Sequence, residues 1–403
     1  MNDTDEIFRI LLIGDFSNSG GAHTVTAPMR VDRDTIDEAV ASLGPQVSPG
    51  GLELKFANLD DFHPDQLIPH LPTKKASQPA APPPPPSNFS GSLLDAMLDE
   101  AQPAPTKVED ANDLAGFIKR VTAGHIVPKE GPAVADPRGE ILRALLHFPE
   151  FQALESVWRS ASLVVDGIED DAHVRIYLLD TTLPGLVRNL DAVSAAMRAI
   201  GKWGCLAAAF TFGQSATEVE VLRRLSDWGK SVGAPFLAGA AAPDGSPSPE
   251  WKALRASAEA RWIGLALPRF ILRLPYGKSG SVIDSFPFEE LDGNEHSHYL
   301  WGAPAFLCAF LLGQSFTDGQ LHRRISGLPM HVYREDGEAY AKPCAEVWLT
   351  EREAETLIDA GLIPIASIKN EDSVMVVRYQ SIANPSTSLA GVDQMLAKHR
   401  SMG

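Results

Sequence analysis

Cysteine is scarce: the 403 residues contain three, Cys205, Cys308 and Cys344. They are widely separated and odd in number, and no two have metal-ligand spacing. That excludes a disulfide scaffold or a zinc ribbon and reads as reduced residues in or near a core. No uninterrupted apolar run reaches the roughly 20 residues that a membrane-crossing helix needs. The opening MNDTDEIF has neither the basic nor the apolar region of a signal peptide. Basic residues are outnumbered, 35 against 52 acids, for a formal charge of −17. Such a surface repels nucleic acid and anionic lipid. There is no Gly-x-Ser-x-Gly elbow, diagnostic Cys-His pair, zinc motif or RNA-binding aromatic signature. Together these absences predict a cytoplasmic chain without catalytic residues, cofactor, metal, nucleic acid partner or membrane insertion.

The composition itself is that of a globular protein, 44% hydrophobic and 22% charged, and the length accommodates two or three domains. Ile7 to Phe16 is a continuous apolar run closed by Gly-Asp, the pattern of a buried strand. Asp34 to Leu43 has helical spacing, with Asp34 as the expected N-cap. Leu52 to Phe56 alternates like a half-exposed strand, and Asp61 or His63 is placed to cap a short helix from Pro64. This makes a β-α-β-α unit over residues 1–75.

Residues 76–91 contain five consecutive prolines, Pro82 to Pro86. They favour an extended spacer and read as an interdomain linker, with a proline-rich docking motif as the alternative. Ser92 to Ala101 (SLLDAMLDEA) follows. Leu94, Met97, Leu98 and Ala101 share one helical face, in a stretch where six acids face one lysine from Asn88 to Gly116. So short a helix is marginal alone, and it either docks on the body or is presented to a partner.

From residue 137 the pattern is continuous. Expected are a long helix over Glu140–Val165, a strand at His173–Leu179, a helix at Val187–Ile200 and a strand at Leu206–Phe212. The alternation goes on with a helix at Val219–Val232, a strand at Ala234–Ala241, a helix near Pro249–Ala258 and a strand at Trp262–Ala266. A helix at Phe306–Phe316 and strands near His331–Tyr333, Ala345–Trp348 and Val374–Tyr379 complete it. Alternation of this kind predicts a mixed α/β (α+β) fold with a partly parallel sheet flanked by helices.

Several clusters invite chemistry and have plainer accounts. GDFSNSGGA at 14–22 lacks both phosphate-loop fingerprints, and Asp15 opposes phosphate. His296 and His298 lie near Glu289, Glu290 and Asp292 but lack a third ligand at a supporting spacing. Asp60, Asp61, His63 and Asp65 suit helix capping better than acid–base work. Arg255, Arg261, Arg269 and Arg273 surround LPRFILRLPYG and are expected to pair internally, with Glu289 and Glu290 as partners.

Certain blocks carry a resemblance. FRILLIGDF, RVDRDTIDE and LELKFANLDDFHPDQL resemble the small sheath subunit of type VI secretion systems (TssB, VipA). From SLLDAMLDEA onward the chain is similar to the large sheath subunit (TssC, VipB). The matching blocks are HFPEFQALESVWR at 147–159, ARWIGLALPRFILRLPYG at 260–277, FPFEE at 286–290, LWGAPAF at 300–306 and GLIPI at 361–365. The resemblance implies two sheath-type α/β domains with mixed sheets, fused through a proline-rich linker. The implied organisation is a small-subunit-like domain at 1–75, the linker at 76–91 and a helix with connecting segment at 92–136. A large-subunit-like body at 137–386 and a short tail at 387–403 follow.

The function implied is that of a non-enzymatic, oligomeric building block of a contractile sheath. Its partners would be copies of itself or other sheath subunits, the inner tube and the baseplate. In that family the N-terminal helix of the large subunit is recognised by the AAA+ unfoldase ClpV, which assigns Leu93, Leu94, Met97 and Leu98 as partner-binding residues. Family members are stitched together by exchanged strands. Here only MNDTDE precedes the first strand and LAGVDQMLAKHRSMG follows the IANPS segment, which implies reduced exchange arms. The alternatives are a sheath-derived cap or assembly regulator, and, more remotely, an α/β enzyme using the loop after the first strand.

Overall fold

The computed structural model describes residues 7–20, 27–71, 136, 138–168, 173–243, 246–278, 280–291, 296–335 and 338–392. In chain order, β1 (Phe8–Gly14) and β2 (Met29–Val31) precede α1 (Ile36–Leu43). The short ribbon of β3 (Gln46–Val47) and β4 (Leu54–Lys55) is followed by α2 (Pro64–Leu67). The body continues with α3 (Arg138–Leu146), α4 (Pro149–Gly167), β5 (Val174–Asp180), α5 (Leu183–Arg188), α6 (Leu190–Ile200) and β6 (Cys205–Phe212). Next come α7 (Ala216–Val232), β7 (Phe236–Ala240), α8 (Pro249–Arg255), β8 (Ile263–Leu267), β9 (Phe270–Ile271) and β10 (Trp301–Gly302). The remainder is α9 (Pro304–Asp318), β11 (Arg324–Ile325), β12 (Val332–Glu335), β13 (Glu338–Ala341), α10 (Glu351–Asp359), β14 (Ile363–Ser367) and β15 (Val374–Val376).

Nine strands form one mixed sheet in the order β11-β15-β14-β8-β7-β6-β1-β5-β2. The six from β14 to β5 run parallel, while β2, β15 and β11 are antiparallel to their neighbours. β1 lies inside the sheet, paired from Phe8↔Val174 to Gly14↔Asp180 with β5 and from Ile10↔Cys205 to Ile13↔Ala208 with β6. Its apolar run explains that position. A strand covered on both faces needs hydrophobic residues at odd and even positions alike, and Ile10, Leu11, Leu12 and Ile13 are all 0% exposed. Phe8, Ile10 and Leu12 join the core beneath α1, α3, α4 and α9, whereas Leu11 and Ile13 join the core beneath α5 to α8 and α10. The segment before residue 75 thus shares a sheet with the body.

Local boundaries differ from the sequence expectations for identifiable reasons. α1 begins after Thr35, because Asp32 and Thr35 bond each other across a tight turn. Asp34 does not cap it. The expected helix over Glu140–Val165 is two helices, broken where Pro149 starts α4 and cannot continue α3. Ala345–Trp348 is not a strand; Ala345 makes a single bridge to Phe270. Within Leu52–Phe56 only Leu54 and Lys55 are in a ladder.

Replacing Leu12 with Ala removes a side chain clamped from both neighbouring strands. It is expected to lower the unfolding free energy by about 2–5 kcal/mol in urea denaturation. A loss under about 0.5 kcal/mol, the range typical of a surface site, would contradict an interior position for β1.

Candidate functional site

Besides the pairing of β1 with β5 and β6, side chains fasten the N-terminal segment to the body along a seam. Asn58 and Asp61 form a capping box on the 3-10 turn Leu59–Phe62, and the His63 Nδ1 accepts from the Asp65 backbone N–H at 3.3 Å. His63 therefore caps the helix from Pro64, whereas Asp61 serves the preceding turn, where Asn58 is the N-cap. Asp65 does something else. Its carboxylate accepts from the Asp284 and Ser285 backbone N–H groups, each at 3.0 Å, and from the Ser285 hydroxyl at 2.6 Å. Burial opposes the charge, yet these three bonds hold the Asp65 carboxyl below its ordinary range. Behind it Phe56 and Phe62 stack at 4.2 Å and both lie against Phe151 of α4. Phe16 meets Trp158 edge-on, and the Trp158 indole N–H donates to the Phe16 carbonyl at 2.8 Å.

Beside the seam lies a buried ionic network. Arg273 donates to Glu155 at 2.9 Å and to Glu290 at 2.8 and 3.0 Å. It also lies 4.4 Å over the Tyr276 ring. Both glutamates are 0% exposed. Arg159 adds a 2.7 Å bond to Glu155, and the Tyr276 backbone N–H donates to Glu290 at 2.7 Å. Burial alone would raise the Glu290 carboxyl, but Arg273 and these donors outweigh it and hold it at about 2. His147 stands 3.7 Å from Glu290, too far for a direct hydrogen bond. It stacks instead on His298, centroids 3.8 Å apart. A second pair joins Arg269 to Glu346, whose carboxyl is held well below normal by Arg269 and His296 against the opposing effect of burial.

Glu290 is thus a partner of Arg273 as expected, but Glu155 and Glu346 are the partners that sequence spacing did not reveal. Glu289 uses its backbone carbonyl to accept from Arg143 and its carboxylate to accept from the Lys278 N–H. Arg255 caps carbonyls of Ile382 and Asp359. His296 and His298 are drawn to different partners, and no group of three metal-ligating side chains occurs among the described residues. The loop after β1 is closed on itself: Asp15 accepts from the Ser19 N–H and Asp180 from the Ser17 N–H. Burial and the neighbouring Asp180 push the Asp15 carboxyl up. The three cysteines are free and buried, with Cys308 and Cys344 each pushed up to about 12 by burial. No described helix is long and apolar enough to cross a membrane. Leu93, Leu94, Met97 and Leu98 lie outside the described residues, as does the whole connection from 72 to 135.

Two measurements check this network. Arg273→Met leaves two buried carboxylates facing each other, and a loss of about 3–5 kcal/mol is expected in urea denaturation; a neutral result would show the glutamates to be protonated or solvated. The pH dependence has two windows. Burial, with Lys342 nearby, pushes His331 down from 6.5 to about 4. Its neutral ring, bonded to Tyr299 at 2.8 Å, therefore gives stability that is full above pH 6.5 and lost as pH falls toward 4. Glu290 contributes stability that is full above its unfolded value of 4.5 and is lost as pH falls toward 2. His331→Gln should flatten the upper window and leave the lower one; a curve unchanged above pH 4.5 would remove His331 from the account.

Comparison with known proteins gives this architecture a family. The type VI secretion system sheath protein TssC1 of Pseudomonas aeruginosa is 29% identical over 291 residues, covering 60% of this chain and 58% of that protein. The chain thus spans less than two thirds of that relative. Among solved structures, the contracted helical sheath of the anti-feeding prophage aligns over 60% of this chain and 57% of its own, at 16% identity and a TM-score of 0.34. A chain of the baseplate of the same particle aligns over 68% and 58%, at 14% identity and a TM-score of 0.32. The family described as EvpB/VC_A0108, tail sheath N-terminal domain, matches residues 137–199 and 244–383. With about half of its length matched, the chain belongs to this tail sheath (VipB) family.

Proposed function

We propose that this chain is a structural subunit of a type VI contractile sheath or sheath-like assembly in the cytoplasm. In this reading the small-subunit-like segment, 1–75, is fused to a large-subunit-like segment spanning 92–386. The observation that carries the fusion is the place of β1. A strand that precedes the proline-rich stretch fills the gap between β5, which lies within the residues the sheath family matches, and β6, which lies between the two matched parts. The Asp65 and aromatic seam adds a second, side-chain connection between the same segments. Work of this kind requires interfaces and no bond making. The carboxylates at the ends of β1 and β5 accept from backbone N–H groups of the loop after β1. Partners are copies of this chain or sheath subunits, with the inner tube and baseplate beyond them. The segment holding Leu93, Leu94, Met97 and Leu98 is assigned to the ClpV unfoldase. A cap or assembly regulator that binds authentic sheath subunits is the second reading.

Separately expressed residues 1–75 and 92–403 are expected to co-purify at one-to-one stoichiometry, since β1 is needed inside the sheet. Independent folding of the second piece would defeat the fusion reading. Negative-stain images of the intact chain should show rings or tubes for a sheath subunit. Monomers that join only when authentic sheath subunits are added would instead establish the cap. Deleting Ser92 to Ala101 should abolish capture by the unfoldase, and undiminished capture would end that assignment.

A further inference from the structure

Arg9 on β1 and Arg175 on β5 are register partners on adjacent parallel strands. Register partners point to the same side of a sheet, with strand axes about 4.8 Å apart. The side is the one on which Leu11, Ile13, Tyr177 and Leu179 are buried. Like charges set side by side in this way repel. Arg9 is only 3% exposed. Its one side-chain hydrogen bond to a described residue runs from Nη1 to the Lys202 carbonyl at 3.1 Å, which leaves Nε buried without an acceptor. Gly201 packs over the guanidinium so closely that a Cβ there would stand 3.3 Å from Cζ. Arg175 also has a buried Nε without an acceptor. Neither arginine forms an ion pair with a described residue, in a chain where acids outnumber bases 52 to 35.

An arginine fork presents five N–H donors and is always charged. Burying one without a counter-charge is costly; a buried arginine with a half-buried one beside it is intelligible if an anion completes the pair. We propose that Arg9 and Arg175 form an oxyanion site at the start of β1 and β5, selecting a group with two or more acceptor oxygens that both guanidinium forks can engage. Two sources offer that chemistry: free phosphate, and a side-chain carboxylate on an acidic peptide segment. The site follows from strand register and burial and is independent of the sheath reading.

The test is thermal unfolding of the full chain at constant ionic strength. Chloride is exchanged stepwise for inorganic phosphate in one series and for a hexaglutamate peptide in another. The wild-type Tm should rise saturably in at least one series, by about 2 °C at ten times the dissociation constant. Arg175→Gln should lose that rise, and in chloride alone it should melt no lower than wild type, because like-charge repulsion is relieved. Arg175→Lys, which keeps the charge without the fork, should retain less than half of the rise. A larger rise with the peptide assigns the site to a carboxylate-bearing segment; a larger rise with phosphate assigns it to the free ion. Phosphate also stabilises proteins generally by exclusion from their surface, so an equal rise in wild type and Arg175→Gln overturns the site. So does the absence of a rise in both series. Should Arg175→Gln fail to fold, phosphorus NMR line broadening of phosphate by wild-type chain decides: saturable broadening competed by the peptide upholds the site, and none overturns it.

Discussion

Everything else in this fold depends on β1 being gripped between β5 and β6. Seven residues arriving from the far side of a proline-rich connection supply a strand in the interior of a nine-stranded sheet. Without it β5 and β6 would face each other across a gap one strand wide, each with an unsatisfied row of backbone donors and acceptors. The two hydrophobic cores would also be affected together, because Ile10 and Leu12 enter one and Leu11 and Ile13 the other. One short segment therefore couples both faces of the sheet to each other and the N-terminal segment to the body.

The buried charges act on a different property. Glu155, Arg273 and Glu290 come from α4, the stretch after β9 and the FPFEE loop, and they meet in a region where α3, the loop and the seam converge. Such networks contribute little net stability, since desolvation offsets attraction. They do penalise any packing in which one partner is missing, and so fix the angle at which these elements meet. Asp65 works in the same sense on the loop residues Asp284 and Ser285. In the proposed sheath role, which would rest on repeated interfaces, a single well-defined geometry matters more than a further increment of stability.

Much of the fold was legible in the sequence, for a physical reason. β1, β5, β6, β7 and β8 are buried strands bounded by turns or helices, so their apolar runs stand out, and helical spacing marks α7 over Val219–Val232, although the Ser215–Glu218 capping box starts it three residues earlier. What was not legible depends on tertiary partners. Ile363–Ser367 is a sheet strand although Pro364 lies in it, because it joins β8 through only two register pairs and β15 on its other side. The α10 helix escaped because its sequence, EREAETLID, is mostly polar and only Ala354 and Leu357 are buried. Sequence spacing likewise found Glu290 for Arg273 but not Glu155, which is more than a hundred positions away along the chain. That β1 belongs inside the body sheet was equally hidden, since a buried strand gives the same signal whichever sheet it enters.

Covalent connection changes how this assembly responds to concentration. If the segment carrying β1 were a separate polypeptide, filling the gap would be bimolecular and would weaken on dilution. Within one chain the closing of the connection from residue 71 to residue 136 is a loop cost that grows only as the logarithm of its length, roughly 0.6 kcal/mol for each doubling. A long, proline-rich connection is therefore nearly as effective as a short one at keeping β1 available. The tether has a second consequence, for stoichiometry. In the proposed assembly every body would carry its own β1, so no body need present an open central gap to a neighbour, and contacts between the described residues of two copies would fall to the sheet edges at β2 and β11 and to the outer faces of the helices. Of these, β2 is a three-residue strand and β11 a two-residue one, short enough to limit edge-to-edge pairing to a few hydrogen bonds. In that assembly, contacts made by the described residues would rest on side chains and charge more than on shared backbone ladders.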